Sequence, residues 1–151
     1  MGLLLDRIRF QEELALKNSL HSIGPFVLEH AVKLSGASSG VFLYAAPGAA
    51  HFEKVATIGL SKDEDASWSR CNRGSGFPLP EAIRSQKLIE IADGNKITLM
   101  AFPLNDSDIT TAGFSISFLP GRPLDTETKD FLFSLVRLAE SALFNKDGEG
   151  I

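Results

Sequence analysis

The sequence predicts an α+β domain with an antiparallel sheet framed by amphipathic helices. Three observations predict it. Phe114, Ile116 and Phe118 alternate with Ser115 and Ser117, the pattern of a half-buried antiparallel strand. Two pairs of strand-like runs are joined by short turn-rich segments, Ala45 to Ala50 and Asn105 to Asp108. Both ends of the chain carry apolar residues at helical spacing.

The chain has 151 residues, which suits one domain. A chain of that size buries roughly two thirds of its unfolded surface, so it needs no disulfide staples. Formal net charge is −4, which argues against a broad basic face for nucleic acid. The single cysteine, Cys71, permits no internal disulfide and fits a reducing compartment. The apolar run Leu3-Leu4-Leu5 meets Asp6, Arg7 and Arg9 at once, so neither a signal segment nor a membrane span fits. The expectation is a soluble cytoplasmic protein with no direct nucleic-acid partner and no membrane partner.

Taken in order, residues 3 to 20 read as an amphipathic helix whose stripe needs a cover, from its own domain or from a second copy. Ser22-Ile23-Gly24-Pro25 reads as a break, with Pro25 opening a second helix over 26–35 and Gly36 ending it. Gly40 to Tyr44 is apolar on both faces and reads as a central strand; His51 to Ile58 returns beside it, partly facing water. Residues 59–72 read as irregular apart from Trp68. Arg73-Gly74-Ser75-Gly76 is a glycine turn, followed by a short helix over 81–86 and a short strand over 87–91. Asp93-Gly94-Asn95 is a turn signal. Strands over 97–104 and 110–119 form the second hairpin, and Pro120 to Pro123 closes the sheet. Asp125 caps a last helix that runs to about Phe144. Its apolar arc is wide enough to bury against both a sheet and another helix.

In this order the chain resembles a GAF domain. The resemblance rests on Leu34-Ser35-Gly36 through Tyr44, Ala56 to Leu60, Arg73-Gly74-Ser75-Gly76 through Lys87, Met100 to Leu104, Ala112 to Ile116, and Asp125 to Thr128. It covers residues 26 to 144. It implies a profilin- or PAS-like central antiparallel sheet, with N- and C-terminal helices packed on one face and a small-molecule pocket on the other. It also implies a sensory or regulatory module, often dimeric through terminal helices, that acts on an output domain or partner protein. The resulting division is 1–24, N-terminal helix and connection, serving dimerisation or signalling; 25–144, GAF-like domain; 145–151, flexible tail. Phe77-Pro78-Leu79-Pro80 stands where the family's turn has a further glycine, and the segment from Ile91 to Ile97 is short. Both departures argue for a filled or narrow pocket.

The candidate ligand-binding residues are Trp68, Arg70, Arg73 and Phe77, an aromatic and basic cluster suited to a small planar or anionic molecule. The competing reading is that Trp68 and Phe77 fill the pocket and the arginines are solvated. That reading is preferred, because apolar bulk packs well in a small domain. The glycine turn reads as structural rather than as an anion cradle, since it lacks the lysine and spacing of a phosphate loop. No catalytic residue, metal site or cofactor is expected: His21, His30 and His51 are not at ligand spacing. The alternative function is a cysteine-dependent enzyme of the free methionine sulfoxide reductase type using Cys71. Flanking Arg70 and Arg73 would activate the thiol, but the chain holds no second cysteine to resolve the intermediate.

Overall fold

In the computed structural model, residues 19–46, 48–69, 71–106 and 109–149 are described. Their element order is α1 (Leu20–Ser35), β1 (Ser39–Tyr44), β2 (Glu53–Ile58), α2 (Lys62–Trp68), α3 (Pro78–Ser85), β3 (Ile89–Asp93), β4 (Lys96–Asp106), β5 (Ile109–Arg122) and α4 (Thr126–Glu149). The five strands form one antiparallel sheet in the order β2-β1-β5-β4-β3. Helices α1 and α4 pack together on one face and α3 lies on the other. This is the α+β arrangement expected from the sequence.

Strand alternation sorts the core into two layers. Phe42, Met100, Phe102, Phe114, Ile116 and Phe118 point toward α1 and α4, where they meet Val27, Leu28, Ala31, Phe131, Leu132 and Leu135. The intervening residues Val41, Leu43 and Ala101 point the other way, toward Leu79, Ala82 and Ile83 of α3. Phe102 and Phe114 stack with ring centroids 5.0 Å apart across the β4–β5 register in which they are partners. Such a pair contributes about 0.5–1.5 kcal/mol beyond its area.

The wide apolar arc of α4 is met by both α1 and β4. Asp125 caps it as expected, its Oδ1 accepting from Thr128 N at 2.7 Å. Farther along, Glu140 Oε2 accepts from Asn105 N at 2.7 Å and fixes the helix to β4. The helix continues to Glu149, beyond the end near Phe144 that the polar composition suggested.

Three further expectations are corrected. The break at Ser22 to Pro25 is absent: α1 runs unbroken from Leu20, with Ser19 as its N-cap and Pro25 inside, so the boundary between residues 24 and 25 falls within a helix. A proline there costs about 3 kcal/mol relative to alanine, and burying Ile23, 1% exposed, returns about 1.5–3 kcal/mol. Gly24 serves close approach rather than a turn, because a Cβ there would lie 2.6 Å from Val55 Cγ1. Residues 59–72, read as irregular, contain α2. Its start is a capping box: Glu64 N donates to Ser61 Oγ (3.1 Å) and Ser61 N to Glu64 Oε1 (3.2 Å). Finally, β5 does not stop before Pro120. Leu99 pairs with Ser117 but Ile97 pairs with Arg122, so β5 carries a large bulge around Leu119 and Pro120. A bulge is where a strand accommodates proline. The N-terminal helix expected over 3–20 lies outside the described residues apart from Ser19 and Leu20. Among the described residues no helix is long and apolar enough to cross a membrane.

Candidate functional site

The cleft face of the sheet is set by register. Ser39 of β1 is the Cα partner of Ser117 of β5, and Val41 that of Ser115. These residues share one face with Leu43 and Ala101, and toward the α3 end that face is apolar and filled. Gly113 lets α3 come down there: a Cβ on it would stand 2.9 Å from Ile83 Cγ1 and 2.7 Å from Phe102 O. At the other end the face is open. A cleft of about 260 Å³ lies there, floored by Ser39, Gly40, Val41, Leu99, Ser115 and Ser117. Leu60, Glu64, Ser67 and Trp68 wall it on one side, Phe77, Pro78 and Leu79 on another, and Leu119 stands at the rim.

Two of the sequence-derived candidates meet at this cleft. Trp68 ends α2 and Phe77 precedes α3, and their ring centroids lie 5.8 Å apart with planes tilted by 57°. Phe77 is nonetheless 60% exposed, so the pair forms a wall rather than a buried plug. Arg73 is placed elsewhere. Its Nη1 donates to Ala49 O at 3.2 Å and its backbone N to Ala50 O at 3.0 Å, which ties the glycine turn to the β1–β2 loop. It does not line the cleft. Arg70 lies outside the described residues.

The glycine turn engages three of its own amides. Gly74 N donates to Asn72 Oδ1 (2.7 Å), Ser75 N to Asn72 O (3.0 Å) and Phe77 N to Ser75 Oγ (3.3 Å). Arg84 Nη1 donates across to Arg73 O at 2.8 Å and Ser75 O at 2.6 Å, clamping the turn from α3. Amides committed this way do not serve an anion. The turn is structural, and it fixes where Phe77 stands.

Cys71 is 6% exposed and shares the apolar layer of Phe52, Val41 and Leu79; it does not itself line the cleft. Burial pushes its thiol up from the ordinary value, against a smaller opposing hydrogen bond from Ser75. The wall formed by α2 is held to the sheet by charge. Lys54 of β2 pairs with Asp65, which also accepts from Thr57 Oγ1 at 3.0 Å. Those two contacts, with Lys54 the larger, hold the Asp65 carboxyl below the usual carboxylate range. His21 pairs with Glu53, and His51 forms an isolated bridge with Asn72, so the histidines are dispersed. Among the described residues no group of three or more His, Cys, Asp or Glu could hold a metal ion.

The sequence reading missed the serine floor, Glu64 and Leu119. The signals were present for two of these. Ser115 and Ser117 alternate with the buried Phe114, Ile116 and Phe118, which places them on the opposite face. Ser61-Lys62-Asp63-Glu64 carries the spacing of a capping box and marks the helix that brings Glu64 to the rim. Leu119 had no such signal, because its position depends on the β5 bulge.

No protein-family model and no curated protein matches the chain. Solved structures do. The GAF domain of a phosphoenolpyruvate-protein phosphotransferase from Coxiella burnetii superposes with a TM-score of 0.75 at 14% identity, covering 100% of this chain and 98% of that one. The corresponding Acinetobacter domain gives 0.74 at 11% identity, covering 100% and 97%. A free methionine-R-sulfoxide reductase from Neisseria meningitidis, solved with its substrate, gives 0.71 at 11% identity, covering 96% and 89%. At these identities the likeness is one of fold, and the chain has a GAF-like fold.

Proposed function

We propose that the protein is a non-enzymatic sensory or regulatory domain of the GAF type. On this reading it binds a small molecule in the cleft walled by Trp68 and Phe77, and it transmits occupancy through dimerising terminal helices to an output domain or partner in the cytoplasm. The observation that carries this reading is the thinness of the sheet at Gly40. Gly40 lines the cleft, and a Cβ on its other side would stand 2.8 Å from Leu28 Cδ1 and 2.9 Å from Val32 Cγ2 of α1. Only one layer of backbone separates the cleft from α1. A shift of β1 would be felt by α1 and, through it, by α4.

The placement of Cys71 supports this reading over sulfoxide reduction. A nucleophilic thiol needs thiolate character and access, and Cys71 is buried, raised in pKa and outside the cleft lining. Sedimentation velocity over a concentration series tests the association: a dimer is expected, and a monomer at every concentration removes dimerisation from the reading. Turnover of free methionine sulfoxide with dithiothreitol tests the chemistry. None is expected, and turnover abolished by Cys71→Ser establishes the enzyme instead.

A further inference from the structure

The described residues give the cleft a marked chemical bias. Ser115 is 5% exposed and lines the cleft floor. Its cross-strand partners, Val41 on β1 and Ala101 on β4, have side chains with nothing to hydrogen-bond. No buried side-chain polar atom lacks a partner among the described residues, so the Ser115 hydroxyl, to which no described protein group bonds, opens to the cleft. A hydroxyl open to the cleft bonds to water until a polar group of a ligand replaces that water. The second bias is charge. Among the described lining residues Glu64 is the one ionisable side chain. Only one of its carboxylate oxygens is engaged in the capping box, by Ser61 N. The third is shape. Trp68 and Phe77 offer aromatic surface, which favours rings and cations. The space, about 260 Å³, falls just below the roughly 300–1,000 Å³ of sites for drug-sized ligands.

We infer that the cleft selects a compact single-ring aromatic or heteroaromatic amine over an anion of the same shape. The ring lies against Trp68 and Phe77, a polar substituent bonds to the Ser115 hydroxyl, and the cationic nitrogen faces Glu64. This rests on the reading of the cleft as a ligand site and narrows it to a chemical class.

Benzylamine, benzyl alcohol and benzoate share a ring and differ in charge. Titrating each while following Trp68 emission tests the inference, since Trp68 is the sole tryptophan of the chain. Benzylamine is expected to bind about tenfold more tightly than benzoate, attraction and repulsion at Glu64 both contributing, with benzyl alcohol between. Glu64→Gln removes the charge but keeps an acceptor for the cap, so it should abolish the preference while leaving benzyl alcohol unchanged. Ser115→Ala should leave the melting temperature nearly unchanged, because the hydroxyl it removes bonds to no described protein group. It should weaken benzyl alcohol by about threefold to tenfold. Benzoate binding as tightly as benzylamine overturns the inference and leaves the ligand-site reading standing. A preference that survives Glu64→Gln, or benzyl alcohol binding that is unchanged by Ser115→Ala, overturns the assigned contacts. No response to any of the three overturns both the inference and the cleft as a ligand site.

Discussion

Trp68 and Phe77 meet at a tilt of 57° at the mouth of the cleft, 5.8 Å between ring centroids, although eight residues lie between them and one ends α2 while the other precedes α3. Phe77 is 60% exposed and is held there by the clamped glycine turn behind it. Phe77→Ala is expected to cost about 0.5–1.5 kcal/mol, the value of an aromatic pair, because little area leaves a buried site. It should also shift Trp68 emission to the red as water reaches the indole. Urea denaturation followed by fluorescence reads both, and a loss above about 3 kcal/mol would show instead that Phe77 is a core residue.

The Lys54–Asp65 pair ties α2 to β2 and so sets the position of the Trp68 wall. The Asp65 carboxyl is held below its ordinary value by Lys54 first and Thr57 second. A carboxyl lowered in the folded state contributes stability above its unfolded pKa, and that stability is lost as pH falls through the folded one. Asp65→Asn should therefore melt below the wild type at neutral pH. The gap should close as pH drops below about 4, the ordinary aspartate range. Because the pair is only partly buried, the gap should also shrink in high salt. A gap independent of pH would mean that neither Lys54 nor Thr57 stabilises the fold through the charged carboxylate.

The succession of strands along the chain and the apolar face of α4 were legible because each is a repeated pattern. Phe114 and Ser115 state their faces by alternation, and Asp125 states where α4 starts. The site was less legible because it depends on single geometric events. Leu119 reaches the rim, 76% exposed, only because β5 bulges against β4. Gly24 and Pro25 look like a break in sequence, and the fold uses Gly24 to let α1 approach Val55 and Phe42. Arg73 sits beside Trp68 in sequence order, yet its hydrogen bonds turn it toward Ala49. Local spacing carries no information about those long-range contacts.

Cys71 is buried and its thiol is raised by desolvation, so it should react slowly while the protein is folded. Alkylation by iodoacetamide at neutral pH, followed by intact mass, is expected to run more than about tenfold slower than in denaturant. Raising the pH should speed it with an inflection above that of an ordinary thiol. Labelling at the denatured rate would place the thiol in solvent and reopen chemistry at this position.

Gly113 is the seat of α3. A methyl group there would approach Phe102 O at 2.7 Å and Ile83 Cγ1 at 2.9 Å, and the carbonyl belongs to the β4 ladder and cannot move aside. Gly113→Ala should lift α3 and strain the layer formed by Leu79, Ala82 and Ile83, at a cost of about 1–3 kcal/mol. The same displacement moves Leu79 in the cleft wall, so titration with benzylamine should weaken in parallel. Ile83→Val in the Gly113→Ala background trims Cδ1, which would stand 3.2 Å from the new methyl, but keeps Cγ1, and should recover only a small part of both losses. Recovery of stability without recovery of binding would separate the seating of α3 from the shape of the cleft.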